Sequence, residues 1–338
     1  MGVVISLDRA QKSAPNLKKL FGYVAKGMGE VDALLQERVE SDVPLIPEIS
    51  RQLIASGGKR LRPMLTLATA ALCDYEGKND IILATAVEMM HTATLLHDDV
   101  VDESDTRRGL PTARKSHGNI TSILVGDYLL GRAFQMMVEA GSLEALHILS
   151  HAASVIAEGE VKQIITSHDV TTSEDDYLEV IRSKTAALFA AAAEVGAIIS
   201  DKNENYRSAL RSYGTHLGVA FQLIDDALDY SGNQRQLGKN IGDDFREGKV
   251  TLPVIMAYRR GSAEDRAFWQ RSIGEQNYQT GDLEHALHLI HQCNALNDCF
   301  ERARHHIAIA KDALGLFAAS PLRDSLLDAA DFVVDREF

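Results

Sequence analysis

The chain has 338 residues, 45% of them hydrophobic, and a formal net charge of −13 at pH 7. This length and composition allow a large buried core, and the acidic charge argues against nucleic acid as a partner. No apolar run is long enough to span a membrane, because Glu194 interrupts the longest one. Three cysteines, an odd number without metal-site spacing, indicate reduced thiols and a cytoplasmic location.

Long segments with helical periodicity and only 7 prolines predict an all-α protein. We expect helices at residues 16–41, 46–55, 80–103, 120–139, 143–167, 173–200 and 206–230, with others starting near Pro63 and Thr251. Three or four more helices follow between residues 265 and 338, and no strand pattern is found. We therefore expect a single domain over residues 1–338, with the catalytic helices at about residues 46–260.

A group of three aspartates, Asp98, Asp99 and Asp102, ends an apolar run that begins near Ile81. Asp98 and Asp102 are four residues apart, so they share one face of a helix and repel each other. A hard divalent cation would offset that repulsion. Magnesium takes one or two carboxylates and completes its octahedron with water and substrate phosphate oxygens.

A second group, Asp225, Asp226 and Asp229, repeats this arrangement at the end of another apolar run. A single group would be equally consistent with a solvated acidic helix end. Two such groups, each at the end of an apolar helix, favour two walls of one site for metal ions and a diphosphate.

Basic residues follow a pair of glycines at residues 57–63 (GGKRLRP). Paired glycines stop a helix and let the backbone approach a ligand closely, and a helix N-terminus beside Lys59, Arg60 and Arg62 suits a diphosphate. Arg107 and Arg108 follow the first aspartate group closely enough to hold a phosphate. The alternative for both stretches is an ordinary charged surface turn.

Two further stretches of the chain carry candidate polar residues. Lys184 and Thr185 lie in an alanine-rich helix, so we expect them to face a polar cavity. Lys239 and Lys249 belong to a glycine-punctuated loop, from which they would reach back to phosphates at the second aspartate group.

These motifs together resemble those of the trans-isoprenyl diphosphate synthases, and the resemblance covers nearly the whole chain. It is carried by residues 57–63, 98–102, 107–109, 184–185, 221–222 and 225–229. The chain is most similar to the long-chain type, which makes octaprenyl to decaprenyl diphosphate for quinone side chains. The resemblance implies an isoprenoid synthase-type helical bundle around a deep central cavity, usually as a homodimer, with a product that is delivered to the membrane.

The resemblance also implies a role for each matching residue. Magnesium, about three ions, would be held by Asp98, Asp102 and Asp225, with Asp99 and Asp229 in the same motifs. The allylic diphosphate would contact Arg107, Lys184, Lys239 and Lys249. Isopentenyl diphosphate would bind Lys59, Arg62, His91 and Arg108. Thr185 and Gln222 would face the developing carbocation, next to Lys184.

Small side chains at Ala93 and Thr94 predict a long product. They lie about one turn, roughly 6 Å, before Asp98 on the same helix. In relatives with short products, bulky aromatic side chains close the pocket near this depth. The alternative is that the two residues are small only because helices pack closely there. Met90, Val87, Met136 and Met137 are candidates for the floor of a tunnel.

Three other functions compete with this interpretation. A di-iron carboxylate bundle would use the two Glu-x-x-His motifs that begin at Glu88 and Glu144, but it leaves both aspartate groups without a role. A class I terpene cyclase would lack the basic stretch around Lys59 and Arg62. A non-catalytic partner subunit would lose motif carboxylates, and all of them are present here.

Overall fold

The computed structural model describes residues 17–231 and 241–335. Helices dominate this part of the chain, as expected for an all-α protein. In order they are α1 (Lys18–Arg38), α2 (Leu45–Ala55), α3 (Leu61–Leu72), α4 (Asn79–Val101), α5 (Ala113–His117), α6 (Asn119–Glu139), α7 (Leu143–Thr166), α8 (Glu174–Ile181), α9 (Ala187–Ile199), α10 (Glu204–Asp229), α11 (Asp243–Arg246), α12 (Leu252–Arg260), α13 (Ala263–Trp269), α14 (Asp282–Gln292), α15 (Ala295–Ala313) and α16 (Pro321–Val334).

Local sequence sets several of these boundaries. Ser173 and Asp176 form a reciprocal capping box at the start of α8, as the acidic stretch there predicts. Ser142 and Asn203 cap α7 and α10 through their side chains. The helix expected over residues 173–200 is interrupted by a π-helical turn at Arg182–Ala186, which divides it into α8 and α9.

The expectation of no strands is wrong at one place. Residues Thr106–Arg107 (β1) and Leu110–Pro111 (β2) pair as a short antiparallel hairpin. Arg108 and Gly109 form its turn with φ of 52° and 77°. A tight two-residue hairpin turn of this kind has positive φ at both central residues. Gly109 adopts this conformation without strain, whereas Arg108 is a non-glycine residue in the same region.

Helix α9 is central to the bundle, where α3, α4, α7 and α10 pack around it. Two glycines make this packing possible. A Cβ on Gly196 would lie 2.3 Å from Thr69 Oγ1, and one on Gly214 would lie 2.4 Å from the Phe189 carbonyl oxygen. On one side of α9 the core is shared with α3, α10 and the C-terminal helices. On the other it is shared with α2, α4, α6 and α7.

The buried charge of α9 has a partner. Glu194 is 3% exposed, and Arg211 on α10 binds its two carboxylate oxygens through Nε and Nη2 at 2.8 and 2.5 Å. The charge that interrupts the longest apolar run therefore joins two core helices. Among the described residues, no helix has the length and apolar character needed to cross a membrane.

Replacing Arg211 by methionine is expected to lower the free energy of unfolding by about 3 kcal/mol, because it leaves a buried carboxylate without its counter-charge. Urea unfolding at neutral pH measures the change. The double variant Glu194→Leu, Arg211→Met is the control and should recover most of the loss, since it removes the buried carboxylate together with its half-exposed counter-charge. A loss below about 1 kcal/mol in the single variant would contradict this role for the pair.

Candidate active site

The first aspartate group lies at the C-terminal end of α4. Asp98 is half-buried, and Asp102 follows the last helical residue. Asp99 points elsewhere: it is 1% exposed, and its Oδ1 accepts a hydrogen bond from Arg107 Nε at 2.8 Å. Asp99 was expected among the metal ligands. In the structure its carboxylate binds Arg107 of the β1–β2 hairpin.

Lys249 meets this group from the far end of the chain. Its Nζ lies 2.8 Å from Asp102 Oδ2 and 2.7 Å from Glu247 Oε2. Burial by itself would lower the pKa of Lys249, but the carboxylates of Asp102, Asp244 and Glu247 together raise it. The ammonium group therefore stays charged beside Asp102.

The second aspartate group ends α10. Asp225 is half-buried, whereas Asp226 and Asp229 are buried. The Asp229 carboxylate accepts hydrogen bonds from the backbone N–H groups of Asp243 and Asp244 at 3.3 and 3.1 Å. Both oxygens of Asp229, which was also expected to bind metal, therefore hold the start of α11.

Arg62, in the first turn of α3, connects the two aspartate groups. Its guanidinium carbon lies 4.3 Å from the centre of the Phe189 ring. Burial lowers the pKa of Arg62 to about 10, while the negative charges of Glu88, Asp225 and Asp98 act in the opposite direction. Because Asp98 and Asp225 both act on this one side chain, the two acidic helix ends face a common space.

His91 is held by the same arginine. Its Nε2 lies 3.2 Å from Arg62 Nη1, and since a guanidinium only donates, His91 accepts there and carries its proton on Nδ1. Burial, followed by the charges of Arg62, Arg107 and Arg108, lowers the pKa of His91 well below its usual value. His91 is therefore neutral, with one N–H left to donate.

The glycine pair brings the predicted basic residues together. Gly57 has φ of 83°, and a Cβ on Gly58 would lie 3.0 Å from Arg108 Nη2, so a side chain at Gly58 would press on the Arg108 guanidinium. Lys59 Nζ lies 5.8 Å from the centre of the Phe221 ring and 5.9 Å from that of Phe332 on α16. Phe332 was not expected from sequence, because it lies far along the chain.

Arg60 forms an ion pair with Glu88 on α4. Its Nη1 lies 3.1 Å from Glu88 Oε1, and its φ is 49°. This ion pair fixes the turn that presents Lys59 and Arg62. The residues predicted for isopentenyl diphosphate, Lys59, Arg62, Arg108 and His91, lie at this turn or contact residues of it.

The π-helical turn carries Lys184 and Thr185. It passes close to α7, where a Cβ on Gly159 would lie 2.7 Å from the Lys184 backbone nitrogen. Lys184 Nζ lies 2.9 Å from Glu160 Oε2. Burial raises the pKa of Glu160 to about 7, and the charges of Asp98 and Asp102 act in the same direction. A lone glutamate in an amphipathic helix gives no sequence signal, so Glu160 was missed.

Hydrogen bonds join the next residues into a chain. Thr185 Oγ1 donates to Gln222 Oε1 at 2.8 Å, and Gln222 Nε2 donates to Asp226 Oδ1 at 2.7 Å. Tyr177 Oη donates to the other oxygen of Asp226 at 2.6 Å. Burial, together with the charge of Asp244, raises the pKa of Asp226 to about 7. Tyr177 was also missed.

The chain-length positions lie deeper along α4. Ala93 is 1% exposed in the apolar core. Thr94 is half-buried, and its hydroxyl donates to the His91 carbonyl oxygen at 2.9 Å. Ala187 and Ala190 on the central helix α9 also keep partial solvent exposure between fully buried neighbours. The suggested floor residues Val87, Met90, Met136 and Met137 are all buried.

The carboxylates do not form a ready-made metal cage. In residues 17–231 and 241–335, no three His, Cys, Asp or Glu side chains converge as a metal site. This fits hard cations that take one or two carboxylates and fill their remaining positions with water and phosphate oxygens. Lys239 lies outside the described residues.

The di-iron alternative fails on geometry. Glu88 pairs with Arg60 and Glu144 with Arg207, while His91 contacts Arg62 and His147 is exposed on α7. The two Glu-x-x-His motifs therefore do not form a common centre in the described part of the chain.

Comparisons with known proteins identify the family of the chain. A family model described as Polyprenyl synthetase matches residues 43–290. The octaprenyl diphosphate synthase of Escherichia coli is 43% identical over 322 residues, which is 95% of this chain and 99% of that protein.

Two solved structures are also similar. A decaprenyl diphosphate synthase from Rhodobacter capsulatus is 50% identical with a TM-score of 0.91, covering 95% of this chain and 99% of that one. A polyprenyl synthase from Caulobacter crescentus, solved with calcium and isoprenyl diphosphate, is 47% identical with a TM-score of 0.93, covering 96% and 99%.

The fold and the paired acidic helix ends define an all-helical prenyltransferase. The chain belongs to the polyprenyl synthetase family. The predicted helical bundle and the predicted enzyme class are confirmed.

Proposed function

We propose that the chain is a long-chain trans-polyprenyl diphosphate synthase. It adds isopentenyl diphosphate repeatedly, head to tail, to an allylic diphosphate of the farnesyl or geranylgeranyl type, giving octaprenyl to decaprenyl diphosphate. The observation that carries this proposal is that Asp98 and Asp225, on separate helices, both act on the buried Arg62. The full-length similarity to octaprenyl and decaprenyl diphosphate synthases supports the long product.

Asp98, Asp102 and Asp225 are the residues that would hold Mg²⁺ with the allylic diphosphate. Their oxygens are of the kind that Mg²⁺ prefers, and they line two sides of one space. Bound there, Mg²⁺ supplies Lewis-acid stabilisation of the leaving diphosphate, and about three ions would serve. We leave Asp99 and Asp229 out of this set because both carboxylates have structural partners.

Basic side chains bind the two substrates. Arg107, Lys184 and Lys249 contact the allylic diphosphate, with Lys239 from the loop outside the described residues. To do so, Lys184 must leave its ion pair with Glu160, and Lys249 must leave its ion pair with Asp102. Lys59, Arg62 and Arg108 bind isopentenyl diphosphate, and neutral His91 donates its Nδ1–H to it.

Apolar helices and oriented dipoles stabilise the allylic carbocation of the reaction. Loss of the diphosphate leaves an allylic carbocation, which the Thr185 and Gln222 oxygens stabilise. Packed helices around α9 exclude water that would otherwise quench it. The alkene of isopentenyl diphosphate attacks, and the departing diphosphate accepts the proton that is then lost.

The biological setting follows from the product. A long polyprenyl diphosphate serves as a precursor of quinone side chains, made by a cytoplasmic enzyme and passed to the membrane.

We also propose a homodimer, because α6 and α7 expose apolar side chains that a second copy would cover, among them Ile120, Leu124, Val138, Leu143, Ile164 and Ile165. Light scattering of the purified chain measures its mass.

Incubation of the purified protein with farnesyl diphosphate, isopentenyl diphosphate and Mg²⁺ tests the function. We expect linear products of octaprenyl to decaprenyl length on reversed-phase analysis, and none when the metal is chelated. A cyclised hydrocarbon would favour a terpene cyclase. Absence of turnover under all metal conditions would favour a non-catalytic partner subunit.

A further inference from the structure

The chain of hydrogen bonds from Tyr177 to Thr185 has a fixed direction. Above its pKa, Asp226 is a carboxylate and only accepts, so the Gln222 atom 2.7 Å away is then its amide nitrogen. The Gln222 oxygen is then turned to Thr185, 2.8 Å away. Because that oxygen only accepts, the Thr185 hydroxyl must give it its single proton.

Burial leaves these groups little choice of partner. Tyr177, Asp226 and Thr185 are 4%, 5% and 6% exposed. The Tyr177 hydroxyl donates a hydrogen bond to Asp226 Oδ2 at 2.6 Å. The Asp226 carboxylate is therefore held between two donors, Tyr177 and Gln222. Water therefore does not replace any of the three hydrogen bonds at low cost.

We propose that Tyr177 and Asp226 are positioning residues, which orient the Gln222 amide so that the Thr185 hydroxyl presents its lone pairs to the carbon that becomes cationic. This inference rests on the proposed function. A hydroxyl with its oxygen toward a cation stabilises it, whereas the same hydroxyl with its proton toward the cation destabilises it. The direction of the chain thus sets the sign of the Thr185 dipole.

The Asp226→Asn variant tests the direction of the chain. Its carbonyl oxygen can still accept from Tyr177, but its NH2 group now faces Gln222. As long as Tyr177 keeps donating to that carbonyl, Gln222 turns over, and its NH2 group makes Thr185 an acceptor with its proton toward the reacting carbon. We expect kcat to fall about 30-fold, while the KM of both diphosphates and the Mg²⁺ concentration for half-maximal rate change less than about twofold.

The Tyr177→Phe variant removes only the anchoring donor, away from the metal-binding aspartates. We expect kcat to fall about fivefold with both KM values unchanged. Tyr213→Phe is the matched control, since Tyr213 is equally buried and donates to the Leu326 carbonyl oxygen at 2.8 Å. It should lose thermal stability to a similar extent without loss of kcat.

Ligand binding separates orientation of the dipole from a merely structural role. An ammonium analogue of the allylic cation, bound with pyrophosphate, should bind Asp226→Asn about 30-fold more weakly than wild type. The unreactive thiolodiphosphate analogue, whose allylic carbon carries no positive charge, should bind both proteins within about twofold. Equal weakening of the two analogues, or unchanged kcat in both variants, would overturn the proposal. Wild-type turnover in the same assay tests the proposed function separately.

Discussion

Replacing Asp98 or Asp225 by alanine is expected to lower kcat at least about a thousandfold, since each removes a carboxylate that holds metal against the leaving diphosphate, worth about 4 kcal/mol at the transition state. Steady-state kinetics over a range of Mg²⁺ concentrations measures the loss. Both aspartates should matter to a similar degree, because the charges of both act on the same side chain, Arg62.

Glu76→Ala is the control for this pair of variants. It also removes one negative charge, but Glu76 is exposed and lies just before the N-terminus of α4, whereas Asp98 lies near the C-terminus of that helix. It should leave kcat within about twofold, as is usual for a surface change far from a site. Asp98→Ala turnover within about tenfold of wild type would contradict the metal role of Asp98 and favour a site supplied by a partner protein.

Replacing Thr94 by phenylalanine is expected to shorten the product by several isoprene units. Thr94 lies about one turn, roughly 6 Å, deeper than Asp98, and it is half-buried where Ala93 beside it is 1% exposed. A large ring at Thr94 therefore projects into the path of the growing chain, whereas one at Ala93 must also displace packed core side chains. Reversed-phase analysis of the extracted products measures chain length.

Thr94→Ser keeps the space and the hydroxyl, so its products should match those of the wild type. Ala93→Phe should also shorten the product, with a larger loss of thermal stability. Full-length product from Thr94→Phe at normal turnover would show that the tail leaves by another route.

The functional residues that sequence could predict are those whose spacing is local. Helix geometry places Asp98 and Asp102 on one face, and the glycine pair puts Lys59 and Arg62 next to a helix start. The same geometry separates Asp99, because adjacent helical residues point about 100° apart. Its contact with Arg107 could have been anticipated from that angle.

Long-range contacts could not be predicted in this way. Tyr177 meets Asp226 across 49 positions and Lys249 meets Asp102 across 147, and no local pattern marks either pair. The π-helical turn at Arg182–Ala186 likewise has no sequence signature, since it arises from how α8 and α9 pack on α7 and α10. These contacts depend on tertiary packing, which propensity and periodicity do not encode.

The ion pair between Lys249 and Asp102 means that the enzyme carries its own counter-ion. With an ammonium group beside the acidic helix end, the repulsion between Asp98 and Asp102 is relieved inside the resting protein. Divalent ions that bind with the substrate would replace this internal cation, and the protein would not need them to hold Asp98 and Asp102 together before substrate binds.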